Sequence, residues 1–238
     1  MSFLTANINL AASIRELYGK GEPDPVQAAV LAEIAGADGI AVQIRTGRRV
    51  VKDQDLFLLK NSVKSKFTIE MPPAEEMVNL ALEVKPDAVI LVADYAGSQG
   101  TVSPIDFDVA EIDYSETVSQ LHGAGVEVGF LVQPEPAPVK KAHKSGAAVV
   151  QIDCSAYASA REEKDVQDEF DRIGKAASQA GKSNMTVVAA RGLDIRNLRA
   201  LVEADLFHEF SVGFGLSSRA MLVGYDRAVQ DFLRLINR

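Results

Sequence analysis

Eight short apolar runs alternate with amphipathic segments from one end of the chain to the other, and this alternation constrains the fold more than any other feature. The runs are Phe3–Leu10, Gly39–Ile44, Lys66–Met71, Ala88–Ala93, Glu127–Val132, Ala148–Ile152, Met185–Ala190 and His208–Gly213. Several are almost unbroken in Val, Ile, Ala and Phe, as parallel strands buried on both faces are.

Helical patterns fill the gaps. The clearest opens at Asp24-Pro25, where Asp24 can cap free N–H groups and Pro25 suits the first helical position. Val26, Ala29, Val30 and Ile34 then share one face, and Gly36 follows near the end. Further helices are expected from near Asp53, after Pro72-Pro73, and over Tyr114–Ala124, Ala137–Ser145, Ala160–Ala180, Ile195–Ala204 and Ser217–Asn237. Glycine recurs where a helix hands over to a strand, at Gly36, Gly125 and Gly146.

Eight strand–helix units in one register favour a closed (β/α)8 TIM barrel, a single domain over 1–238, above an open doubly wound sheet. The open sheet usually carries a glycine-rich phosphate loop after its first strand. Here Asn9-Leu10-Ala11-Ala12-Ser13 stands there instead. No run of apolar residues is long enough for a membrane span, and the N-terminus lacks the pattern of a secretion signal. The lone Cys154 fits a reducing cytoplasm, the expected location. A net charge of −8 argues against a general nucleic-acid binder.

In such a barrel the chemistry lies at the C-terminal ends of the strands. The polar residues expected there are Asn7, Asn9, Gln43, Arg45, Glu70, Asp94, Gln133, Glu135, Asp153, Cys154 and Arg191. Asn9, Gln133 and Glu135 read as solvated loop residues, and Asp153 as a turn former. Glu70 closes an apolar strand, so its carboxylate should enter the barrel mouth and need a partner. Arg45, one strand away, is the expected one. The pair reads as part of a ligand site, with a purely structural ion pair as the alternative. His122 and His143 sit near helix C-termini and His208 at the bottom of the last strand, all in structural positions. No metal-ligand spacing is present and no cofactor is implied. No strand ends in lysine, which disfavours Schiff-base chemistry. Arg191-Gly192 after the seventh strand and Gly213-Phe214-Gly215 after the eighth mark an anion site. Turn geometry alone is the alternative for the two last glycines.

The run Pro23-Asp24-Pro25-Val26-Gln27-Ala28-Ala29, continued from Ala32 to Ile40, resembles the pyridoxine 5'-phosphate synthase family. The likeness extends through Ile44-Arg45 with Arg48-Arg49, Ile69-Glu70-Met71, Gly192-Leu193, His208 to Gly213, Gly215 and Arg219-Ala220. It implies a barrel with extra helices, a homo-octamer, and condensation of deoxyxylulose phosphate with an amino-oxopropyl phosphate.

By the same resemblance, Asn7 matches a substrate-contacting asparagine and Glu70 the catalytic glutamate. Arg45, Gly192 and Gly213 match binding positions, and Thr101 a family threonine. Other positions depart. The family's Asp-His pair appears as Asn9-Leu10, an arginine as Tyr18, and a phosphate-contacting histidine as Val50. The basic histidine appears as Gln43, the acidic histidine as Arg191, and the histidine of the last phosphate loop as Phe214. After strand four the family segment reads Ala93-Asp94-Tyr95-Ala96.

Glutamine cannot take a proton near neutral pH and arginine does not release one. Each lost acid or base costs roughly 10²–10⁴-fold. Three readings follow. One is a divergent barrel enzyme that binds a phosphorylated or anionic small molecule through Asn7, Arg45, Thr101, Arg191, Gly192, Gly213, Phe214 and Gly215, with Glu70 moving the proton. The second is an inactive paralogue serving as sensor or structural subunit. The third is a genuine synthase with rearranged acid–base residues.

Overall fold

The computed structural model describes residues 2–47, 50–94, 102–108 and 113–237. Its strands are β1 (Phe3–Asn7), β2 (Gly39–Gln43), β3 (Lys66–Met71), β4 (Ala88–Leu91), β5 (Glu127–Val132), β6 (Val149–Asp153), β7 (Thr186–Ala190) and β8 (Glu209–Val212). All neighbours pair in parallel, and β8 pairs with β1, so the eight strands close into a (β/α)8 barrel.

The helices are α1 (Asn9–Tyr18), α2 (Pro25–Ile34), α3 (Asp53–Ser62), α4 (Glu75–Val84), α5 (Tyr114–Gly123), α6 (Pro136–Lys144), α7 (Ser155–Ser159), α8 (Glu163–Lys182), α9 (Leu198–Glu203), α10 (Phe214–Val223) and α11 (Tyr225–Ile236). Asp24 caps α2 as expected, its Oδ1 accepting the Val26 N–H at 2.9 Å. None of these helices is long and apolar enough to cross a membrane among the described residues.

Alternation along each strand sorts the side chains into two cores. Leu4, Ile40, Ile69, Phe130 and Phe210 face outward and join the buried sides of the helices. Ile90, Leu131, Val149 and Val188 form a separate cluster with Val92 and Val102. The other side of the barrel interior is polar. Near its N-terminal end, Lys66 lies 3.2 Å from Glu209 and 3.4 Å from Glu127. Burial alone would lower the Lys66 pKa, but Glu209 and Glu127 outweigh it and raise it. The stem of the barrel is therefore plugged by its own side chains.

Several expectations are corrected. β1 stops at Asn7, and a ten-residue helix, α1, replaces the expected end of the strand and the loop after it. The face of α2 is Ala28, Ala29 and Ala32, whereas Ile34 is 77% exposed. Small residues let α2 approach the barrel, so the bulky Ile34 is left outside. The segment expected as one helix over 160–180 is preceded by the short α7. The last helical segment breaks into α10 and α11 at Gly224, whose φ of 83° stops the first of them.

Candidate active site

A cavity of 680 Å³ opens at the C-terminal ends of the strands. Among the residues that line it are Asn7, Gln43, Glu70, Arg191, Gly192, Gly213 and Phe214, the expected site residues from five different strands and loops. Arg45 and Gly215 do not line it. Thr101 lies outside the described residues, as do Arg48, Arg49, Tyr95 and Ala96.

Glu70 stands at the centre. It is 2% exposed, in register with Gln43 on the neighbouring strand. The expected ion pair with Arg45 is not what forms. Glu70 reaches across the barrel, and Arg191 Nη2 donates to its Oε2 at 3.2 Å. Gln151 Nε2, from β6, donates to Oε1 at 3.1 Å. Both carboxylate oxygens thus receive a donor, which a charge this deeply buried requires.

Arg45 instead lies near Asp94 and Arg191. Burial pushes its guanidinium pKa down, Asp94 draws it back up, and Arg191 adds to the lowering. Its Nε and Nη2 are buried without a hydrogen-bond partner. The reason Arg45 loses Glu70 is its position. It stands beyond the end of β2, outside the paired register that aligns Gln43 with Glu70. Asp94 accepts the Thr46 N–H and so fixes the turn after β2.

The loop after β7 is built for close approach. Arg191 has φ 75° and Gly192 φ 68°, both left-handed. A Cβ on Gly192 would stand 2.4 Å from Ala158 Cβ. Asn197 Nδ2 donates to the Gly192 carbonyl at 3.0 Å, and Tyr157 OH to the Asn197 carbonyl at 2.9 Å. The loop after β8 differs from expectation. A Cβ on Gly215 would lie 2.2 Å from the Leu193 carbonyl oxygen, so this glycine admits a neighbouring loop rather than a ligand. Gly213 carries no such clash, and it precedes α10, which has no side-chain cap. No side chain caps the N–H groups of that first turn. Phe214, 75% exposed, stands beside them at the rim.

Asn9 is more than a solvated loop residue. Its Oδ1 accepts the Gln43 N–H at 2.7 Å, and its own N–H is held by Asn7 Oδ1 at 3.2 Å, which ties the ends of β1 and β2 together. Asp153 is the turn former expected, accepting the Ser155 N–H. Burial, with Asp153 nearby, pushes the Cys154 thiol pKa up, so it is no nucleophile. His208 Nδ1 accepts the Val187 N–H at 3.0 Å, away from the cavity. Among the described residues no three His, Cys, Asp or Glu side chains are grouped to hold a metal ion.

Several lining or supporting residues escaped the sequence reading, Ser211 and Gln151 among them. Ser211 borders the cavity from β8. Gln151 holds Glu70 from behind. Its signal was available: one amide inside the apolar run Val149-Val150-Gln151-Ile152.

Comparison with known proteins places this geometry in a family. The family model described as "Pyridoxal phosphate biosynthesis protein PdxJ" matches residues 4–238. A protein of Geobacter metallireducens named pyridoxine 5'-phosphate synthase is 41% identical over 236 residues, covering 99% of each chain. Another of that name, from Syntrophobacter fumaroxidans, is 36% identical over 237 residues, covering 100% of each. Among solved structures, thiamine phosphate pyrophosphorylase from Pyrococcus furiosus superposes with a TM-score of 0.61 at 13% identity, over 99% of this chain and 95% of that one. At that identity the likeness is one of fold alone.

Proposed function

The chain belongs to the PdxJ family of pyridoxal phosphate biosynthesis proteins, and we propose that it acts as a pyridoxine 5'-phosphate synthase with a rearranged acid–base system. One observation carries this reading. Glu70, a carboxylate buried in the lining of the cavity, has a donor on each oxygen and shares that cavity with Gly213 at the uncapped start of α10. A phosphorylated substrate would rest its phosphate on that helix start, at Gly213, and present its reacting carbons towards Glu70. Glu70 would take and return the proton. Arg191 would balance the charge of its ionised form, since arginine cannot itself shuttle protons.

Incubation with the two phosphorylated substrates implied by the family resemblance, followed by absorbance of the product, tests the reading. Product formation supports it, and none from a folded protein overturns it.

A second reading rests on Glu70 being already engaged by Arg191 while its register neighbour is the non-titrating Gln43. On that reading the barrel binds a different phosphorylated or anionic molecule, with altered chemistry or as an inactive sensor or subunit. Thermal stabilisation by such a metabolite, without product from the synthase substrates, would select it.

Self-assembly belongs to the same proposal. Leu17 and Tyr18 on α1 and Met221 and Leu222 on α10 are 77%, 70%, 62% and 80% exposed, which favours a covering subunit. Sedimentation of the native chain tests it: an oligomer is expected, and a monomer contradicts it.

A further inference from the structure

We infer that Gln151 is a positioning residue for Glu70, serving its ionised and its protonated form in turn through the two ends of one amide. The inference rests on the proposal that Glu70 moves a proton.

Glu70 is 2% exposed, so bulk water is not its partner in either state. Its two donors are Arg191 and Gln151. Arginine only donates, so Arg191 can still bond the carbonyl oxygen of the carboxylic acid but cannot accept its O–H. Once protonated, Glu70 becomes a donor and needs an acceptor.

Gln151 holds one in reserve. It is itself 2% exposed, and its Oε1 is buried without a hydrogen-bond partner while its Nε2 is in use. A buried acceptor left unpaired calls for an explanation. The register partners of Gln151 on both sides are apolar, Leu131 on β5 and Val188 on β7, so neither supplies a donor. The terminal torsion of a glutamine is broad and nearly two-fold. A half-turn about it exchanges Nε2 for Oε1 within the same volume. Oε1 then accepts the new Glu70 O–H, and the orphaned acceptor is satisfied. No other side chain of this size carries both a donor and an acceptor without ionising. A glutamine here lets a buried carboxyl change protonation state without losing its anchor and without a neighbouring histidine.

The test is an NMR titration of the full-length protein without substrate, following the Gln151 side-chain amide and the Glu70 carboxyl carbon. Glu70→Gln and Gln151→Met identify the two signals. The Gln151 amide is expected to move with the same midpoint as Glu70 and to become independent of pH in Glu70→Gln. In Gln151→Met, which keeps the volume, the Glu70 midpoint should rise by about one unit, because the bond to the charged form is the stronger of the two lost. Should Gln151→Met fail to fold, Gln151→Glu replaces it, and two coupled titration steps are expected in place of one. An amide signal that ignores Glu70, or a Glu70 titration unchanged in the variant, would overturn the inference. Neither readout needs turnover, so an inactive protein leaves this test intact.

Discussion

Arg191 donates to Glu70 across the barrel mouth at 3.2 Å, and it does so from a backbone held at φ 75°. A non-glycine residue in that region costs about 1–2 kcal/mol, so the loop stores strain to deliver this side chain. The ion pair is partly open on the arginine side, 20% exposed, and closed on the carboxylate side, 2% exposed.

Removing the arginine alone should therefore cost more than removing both partners. Arg191→Met leaves Glu70 buried without its cation, and a loss of about 2–4 kcal/mol in urea denaturation is expected. Arg191→Met with Glu70→Gln should recover most of it. A double variant as unstable as the sum of the singles would deny the coupling.

The glycines of the two loops should separate by role. Gly192→Ala meets both a φ of 68° and Ala158 at 2.4 Å, and Gly215→Ala meets a carbonyl oxygen at 2.2 Å. Each should cost about 2–4 kcal/mol. Gly213→Ala has its nearest contact at 3.4 Å and a negative φ of −107°. It should fold normally and lose thermal stabilisation by inorganic phosphate.

How much of this was legible in the sequence varies with the physics of each part. The eight strands were, because two-sided burial leaves apolar runs such as Ala88–Leu91 that little else produces. Asp24-Pro25 marked its helix start because capping is local. α1 was not legible, because Ile8, Leu10 and Ala11 continue an apolar run and the turn into the helix carries no glycine or proline. The site residues were found through their position at strand ends, yet the partner of Glu70 was misassigned. Sequence proximity pointed to Arg45, while closure of the ring brings Arg191 across the barrel mouth. Gln151 was missed because its one signal, a lone amide in an apolar strand, does not say which buried group it serves.

Arg45 offers a second contrast. Two of its guanidinium nitrogens are buried and unpaired, so its charge lends the fold no net stability. Arg45→Met should change stability by less than about 1 kcal/mol. Because Arg45 stands outside the cavity, binding of a phosphorylated substrate, measured by calorimetry, should change little. A large loss of stability would instead make Arg45 a structural residue.

Acid should loosen the join between α1 and α3. Arg15 clasps Asp55 through both nitrogens, at 2.8 and 2.6 Å. Burial would raise the Asp55 pKa, but the bonds from Arg15 and the Lys52 N–H outweigh it and lower it from 3.8. A carboxylate whose folded pKa is depressed stabilises the fold fully above its unfolded value and loses that contribution as pH falls through the folded one. Asp55→Asn should thus be destabilised at pH 7 by about 2–3 kcal/mol, and the gap to the native chain should close below pH 3.8. Denaturation midpoints at neutral and acid pH check this.

The rate of product formation from the two phosphorylated substrates, for the native chain and Glu70→Gln side by side, bears most directly on the role of Glu70. The substitution keeps the shape of the side chain and removes its proton chemistry, so a loss of about 10²–10⁴-fold with little change in KM is expected. Equal rates from the two proteins would contradict it.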